Sequence, residues 1–227
     1  MSVGEIEEII NSSPVIKFKE IYGRVNSKEY AKQVVYRLIK KGNLKRIKKG
    51  VYSNSDDIFS IASNIYYPSY ISFLSASYKL GLTEVIPIAV YVVTTKNYAP
   101  IEFERYKIIF IESGNIFGYH KEGKDKNVVF LADSEKLMVD ALFKPEHMGN
   151  FDEIINVFKN SKNIEKTKVI EYLNQMNSNK ISRQVGYLLE MYQNMDISES
   201  VKINKNYYDL NPFEKGKKIN KKWRLKI

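Results

Sequence analysis

Residues 37–52 read RLIKKGNLKRIKKGVY, and the two glycines in that stretch leave the chain few ways to fold. Glycine enters a left-handed backbone conformation at little cost, whereas residues with a Cβ rarely do. Upstream of it, Ala31, Val34, Val35 and Leu38 recur at i, i+3, i+4 and i+7, which is the buried stripe of a helix. Asn26 and Ser27 can cap that helix, and Gly42 stands where a helix ends in a left-handed turn. The spacing predicts a helix over residues 27–41. Leu44, Ile47 and Val51 follow among Lys45, Arg46, Lys48 and Lys49, with Gly50 at the bend, and this pattern predicts a short basic β-hairpin.

Two shorter helical periods come first. Val3, Ile6, Ile9 and Ile10 are interleaved with Glu5, Glu7 and Glu8, and Asn11-Ser12-Ser13-Pro14 closes that segment. Phe18, Ile21 and Tyr22 give a second period up to Gly23. Three short helices followed by a basic hairpin make a winged helix-turn-helix. The third helix carries Lys28, Lys32, Gln33, Tyr36, Arg37 and Lys40 on the face opposite its apolar stripe. A helix of this kind fits a major groove, where Gln33 would read adenine and Arg37 guanine through the favoured bidentate contacts. Lys45, Arg46, Lys48 and Lys49 would reach flanking phosphates and release counterions. These ten side chains are the candidate DNA contacts.

Charge placement supports that assignment. The net charge is +10, but residues 1–53 hold twelve Lys/Arg against five Asp/Glu, residues 54–195 fifteen against seventeen, and residues 196–227 nine against four. A lysine-rich solubilising surface or a protein-binding helical module would share part of this pattern. From residue 24 to residue 49, however, ten basic residues accompany one acidic residue, Glu29, and that density favours a polyanion.

Downstream, Ile58, Ile61, Ala62 and Ile65 predict a helix, and residues 70–82 (YISFLSASYKLGL) predict another that ends at Gly81. Runs at 88–95 (IAVYVVTT), 106–112 (YKIIFIE) and 127–133 (NVVFLAD), with a weaker one at 115–123, predict strands. Asp133 can cap a helix whose apolar face is Leu137, Met138, Ala141 and Leu142. Helical periods follow at 151–158, 164–176 and 181–195, and then a lysine-rich tail containing Trp223. The expected class is therefore α+β, with a winged helix-turn-helix domain over residues 1–54. A mixed α/β domain with a small sheet and several helices would fill residues 55–227.

The chain lacks cysteine, has no apolar run long enough for a membrane span, and opens without the basic region of a signal peptide, which together predict a cytoplasmic protein. His120 and His147 are isolated from one another, and no HExxH, phosphate-binding glycine loop or GxSxG accompanies them. Glu135 and Asp140 read as a helix-start charge and a solvated face. Nothing in the sequence asks for catalysis, a metal or a cofactor.

Four stretches, in order, resemble a known family. RLIKKGNLKRIKKGVYS (37–53) is similar to the recognition-helix end and wing of AbiEi-type antitoxins of type IV toxin–antitoxin modules. YPSYISFLSASYKLGLTEVIP (67–87) followed by VVTT, ADSEKLMVDALFKPE (132–146) and SRQVGYLLE (182–190) resemble its later motifs, as do DLNP and Trp223 near the end. Ser134 departs from the proline common at that place. The resemblance implies an autorepressor that binds inverted repeats in its own promoter as double-stranded DNA. It also implies an antitoxin that counteracts a nucleotidyltransferase-like toxin without a stable complex. A monomer or a dimer would serve, and no catalytic residue is implied. A stand-alone regulator with a ligand- or partner-sensing second domain is the other expectation.

Overall fold

The computed structural model describes residues 8, 10–25, 27–114 and 116–227. The helical period through Val3, Ile6 and Ile9, the cap candidate Asn26 and the start of the weak strand at Asn115 lie outside the described residues. Residues 10–12 are helical, and Ile10 is buried. The described chain is a mixed α+β protein with three β-sheets, and it divides into two compact units. One unit comprises the described residues up to Ile71 together with Ile88–Gly114 and His120–Leu131. The other comprises Ser72–Pro87, the described residues of 115–119, and Ala132–Ile227.

The first unit opens with β1 (Ile16–Lys17), α1 (Phe18–Tyr22) and α2 (Lys28–Lys40), followed by β2 (Lys45–Lys48) and β3 (Val51–Ser53). Ser27 starts α2 by accepting a hydrogen bond from the Tyr30 amide at 3.1 Å. Gly42 ends it with φ +77°, and the amides of Asn43 and Leu44 turn back to the Leu38 carbonyl. The hairpin bends at Gly50, φ +73°, and β3 lies between β1 and β2 in an antiparallel sheet. Strand β1 is too short to carry a period of its own, so no residue pattern marks it. Ile10, Ile16, Ile21, Ala31, Val34, Val35, Leu44 and Tyr52 form one core, flanked by Phe18, Val25 and Leu38. Each fully buried aliphatic side chain there contributes about 1.5–3 kcal/mol.

The same unit holds α3 (Ile58–Asn64), β4 (Ser69–Ile71), β5 (Ala89–Thr94), β6 (Ile101–Phe103) and β7 (Tyr106–Glu112). The ends of β8 (Tyr119–Glu122) and β9 (Val129–Ala132) cross its boundary. Asp57 caps α3, accepting from the Phe59 amide at 3.0 Å and the Ser60 hydroxyl at 2.7 Å. The sheet order is β6-β7-β5-β4-β9-β8, with β5 and β7 parallel and β6–β7 a hairpin. The helix expected at 70–82 begins only at Phe73. Tyr70 and Ile71 instead pair with Val93, Val92 and Leu131 in the sheet, because long-range pairing overrides an ambiguous local period.

The second unit contains α4 (Phe73–Lys79), α5 (Ser134–Phe143), α6 (Phe151–Asn160), α7 (Lys166–Met176) and α8 (Asn179–Gln193). The lysine-rich tail adds a small sheet of β10 (Tyr208–Asp209), β11 (Ile219–Asn220) and β12 (Leu225–Lys226), with β12 in the centre. Helix α8 fastens that tail. Arg183 donates to the carbonyls of Asn206 at 2.6 Å and Asn204 at 3.1 Å, and Gln184 donates to those of Asp209 and Leu210. Trp223 is fully buried against Gly186, and its indole N–H donates to Glu190 at 2.6 Å. Among the described residues, no helix is long and apolar enough to cross a membrane.

Candidate nucleic-acid interface

Helix α2 keeps its two faces apart. Ala31, Val34 and Val35 are buried, while Lys28, Lys32, Gln33, Tyr36, Arg37 and Lys40 are all exposed. At 3.6 residues per turn, Lys28, Lys32, Tyr36 and Lys40 form one row, and Gln33 and Arg37 the next. Tyr36 is 65% exposed, so its ring is free to meet a partner rather than fill the core. Lys32 has a loose ion pair with Glu29 at 3.9 Å between two exposed side chains, a contact of little energetic weight. The side chains of Lys28, Gln33, Tyr36, Arg37 and Lys40 make no hydrogen bond or ion pair with the described residues.

The hairpin divides its four cations. Arg46 and Lys49 are exposed and make no such contact with the described residues. Lys45 donates to Asp56 at 2.7 Å and lies 2.9 Å from Glu104. Those hydrogen bonds push the lysine above its usual range and pull Asp56 below the usual carboxylate range, with Lys126 adding to the latter effect. The Lys48 ammonium donates to the Tyr66 hydroxyl at 2.6 Å. Tyr66 in turn stacks on Tyr98 with ring centroids 3.5 Å apart and meets Phe110 edge-on at 4.9 Å. No residue pattern marks these partners: Tyr66 and Glu104 are distant along the chain, and only the fold brings them to β2. Exposed Arg24 and Lys41 flank α2 and extend its charge, although the ten candidate contacts did not include them.

A second cluster lies inside the other unit. Asp140 is 2% exposed and is ion-paired with Lys136, which is fully buried and one helical turn away. The Ser72 hydroxyl donates to the other carboxylate oxygen at 2.7 Å, and the Lys136 ammonium sits 4.7 Å from the Phe117 ring centroid. Glu135 is buried too and accepts from the Glu165 amide at 2.9 Å. The solvated face expected for these carboxylates is thus a buried polar network. Ser72 is followed by Phe73 at φ +55°, a costly backbone for a bulky residue. Solvent is shut out of this cluster, so its chemistry is that of a structural ion pair. His120 pairs with Glu122 at 3.1 Å, and His147 packs edge-on to Phe73 at 5.2 Å. Among the described residues, no three His, Asp or Glu side chains are gathered to hold a metal ion.

No family model matches the chain, and no curated protein matches it. A solved structure of similar fold is that of the RV2827C protein from Mycobacterium tuberculosis. The TM-score is 0.63 at 11% sequence identity, over 97% of this chain and 88% of that one. At that identity the likeness is one of fold.

Proposed function

We propose that residues 10–53 form a winged helix-turn-helix that binds double-stranded DNA, with α2 in the major groove and hairpin β2–β3 as the wing. One observation carries the reading: the polar flank of α2 is open along its length and continues into a hairpin that presents Arg46 and Lys49. A purely structural helix would have its exposed cations spread among acids, yet Glu29 is the one acidic residue on α2. Phosphates are met through counterion release by the lysines, and bases through Gln33, Tyr36 and Arg37. A winged helix reads one half-site, so an inverted repeat takes two copies, either as a preformed dimer or as monomers side by side.

The resemblance of the later motifs extends this proposal to an autorepressor that is also an AbiEi-type antitoxin, acting against a nucleotidyltransferase-like toxin in the cytoplasm. In this reading the chain itself catalyses no reaction, and the second unit carries antitoxicity. The motif residues have structural parts in that unit: Lys136 pairs with Asp140 within α5, and Arg183, Gly186 and Glu190 contact the tail. A gel shift on the DNA upstream of the chain's own reading frame tests the first half. Retardation of that duplex, but not of a scrambled one, is expected, and equal retardation of both contradicts it. Co-expression with a neighbouring nucleotidyltransferase-like reading frame tests the second half, with restored growth the expected result.

A further inference from the structure

We propose that Lys45 and Lys48 are positioning residues that pin the wing, leaving Arg46 and Lys49 to meet DNA phosphates. The inference rests on the DNA-binding reading and divides the hairpin's work within it. Strict alternation along β2 would place Arg46 and Lys48 on one face. The pairing register with β3 shifts between Arg46 and Lys48, and that irregularity breaks the alternation. Arg46 is left exposed, while the Lys48 ammonium reaches the Tyr66 hydroxyl. Tyr66 is itself held by its stack on Tyr98 and its edge contact with Phe110, so the lysine is fastened to an aromatic cluster packed on β7.

Lys45 is fastened differently. Asp56 comes from the segment that follows β3. Glu104 sits at the tip of the β6–β7 hairpin, where its backbone is left-handed at φ +54°. Two carboxylates neutralise the one ammonium in excess, with Lys126 offsetting part of the remaining negative charge beside Asp56. A phosphate drawn to Lys45 would meet both carboxylates at short range, and that repulsion cancels the attraction a free lysine offers. Arg46 and Lys49 make no ion pair with the described residues, so a phosphate approaching them meets uncompensated charge. The pinned lysines fix where those two side chains stand relative to α2, and wing and helix can then engage one duplex together.

Salt titration of duplex binding separates the two roles, since each phosphate contact adds about 0.9 to the slope of log Kobs against log salt. Arg46→Ala and Lys49→Ala should each flatten the slope by about one unit. Lys48→Met and Tyr66→Phe break one contact from its two ends. Both should weaken binding by a similar factor at every salt concentration, leave the slope unchanged, and lose nothing more when combined. Lys45→Met should likewise keep the slope. A drop of about one unit in Lys45→Met or Lys48→Met overturns the assignment. Wild-type chain that binds no duplex at low salt sinks the DNA reading itself. Amide exchange over residues 45–53 then still tests the pinning: faster exchange in Lys48→Met/Glu104→Gln supports it, and unchanged exchange refutes it.

Discussion

Gln33 and Arg37 sit four apart on α2, exposed and unengaged by the described residues, and they carry the base-reading part of the proposal. Arg37→Ala should cost about 1–3 kcal/mol of binding to the cognate duplex and relax preference at one base position. A uniform loss over all sequences, read by competition with single-base variants, would make Arg37 a phosphate contact instead. Asp140 lies at the opposite extreme of burial. Asp140→Ala would take the carboxylate from the buried Lys136 ammonium and the acceptor from the Ser72 hydroxyl. Loss of about 3–5 kcal/mol in chemical denaturation is expected, as for other buried pairs broken on one side.

Helix α8 and the tail make the second test, because Trp223 is the single tryptophan and reports its own docking. A Cβ on Gly186 would come within 2.3 Å of the indole ring. Gly186→Ala should therefore displace Trp223 and shift its emission to the red, despite alanine's better helix propensity of about 1 kcal/mol. The same docking depends on acid. The hydrogen bond from Lys222 lowers the Glu190 carboxyl, helped by the indole of Trp223, and it lowers Asp196 together with the Ser198 amide. Carboxyls depressed in the folded state stabilise it fully above their unfolded values, about 3.9–4.3. That stabilisation is lost as pH falls through the folded values. Trp223 emission should hold steady from about pH 5 upward, and Lys222→Met should move its acid transition to higher pH. An unmoved transition would show that the ion pairs do not hold the tail. How much of this was legible follows from range along the chain. Strands β5 and β7 and helices α2 and α5 to α8 declare themselves through periods longer than one turn. Strands β4, β6 and the tail sheet do not, because two or three residues carry no period, and the partners of β4 also lie more than twenty residues away. The same reason hid Glu104 and Tyr66, although the lysines they hold were plain to see.

Charge gathered at one end of the sequence becomes, in three dimensions, an open helix face and two wing side chains, and this conversion is what the functional account needs. A total charge of +10 says less than where the cations that make no ion pair with the described residues stand. Buried acids, clamped lysines and the paired Lys222 contribute to that sum and offer nothing to a polyanion. Fluorescence anisotropy on a labelled duplex from the upstream region, titrated from roughly 50 to 200 mM salt, addresses the point most directly. The comparison is wild type against Lys28→Ala/Lys32→Ala/Lys40→Ala, three changes on one exposed row of α2. The account predicts a straight log–log decline for the wild type and a decline shallower by about two to three units for the variant. Superimposable slopes for the two chains would contradict it.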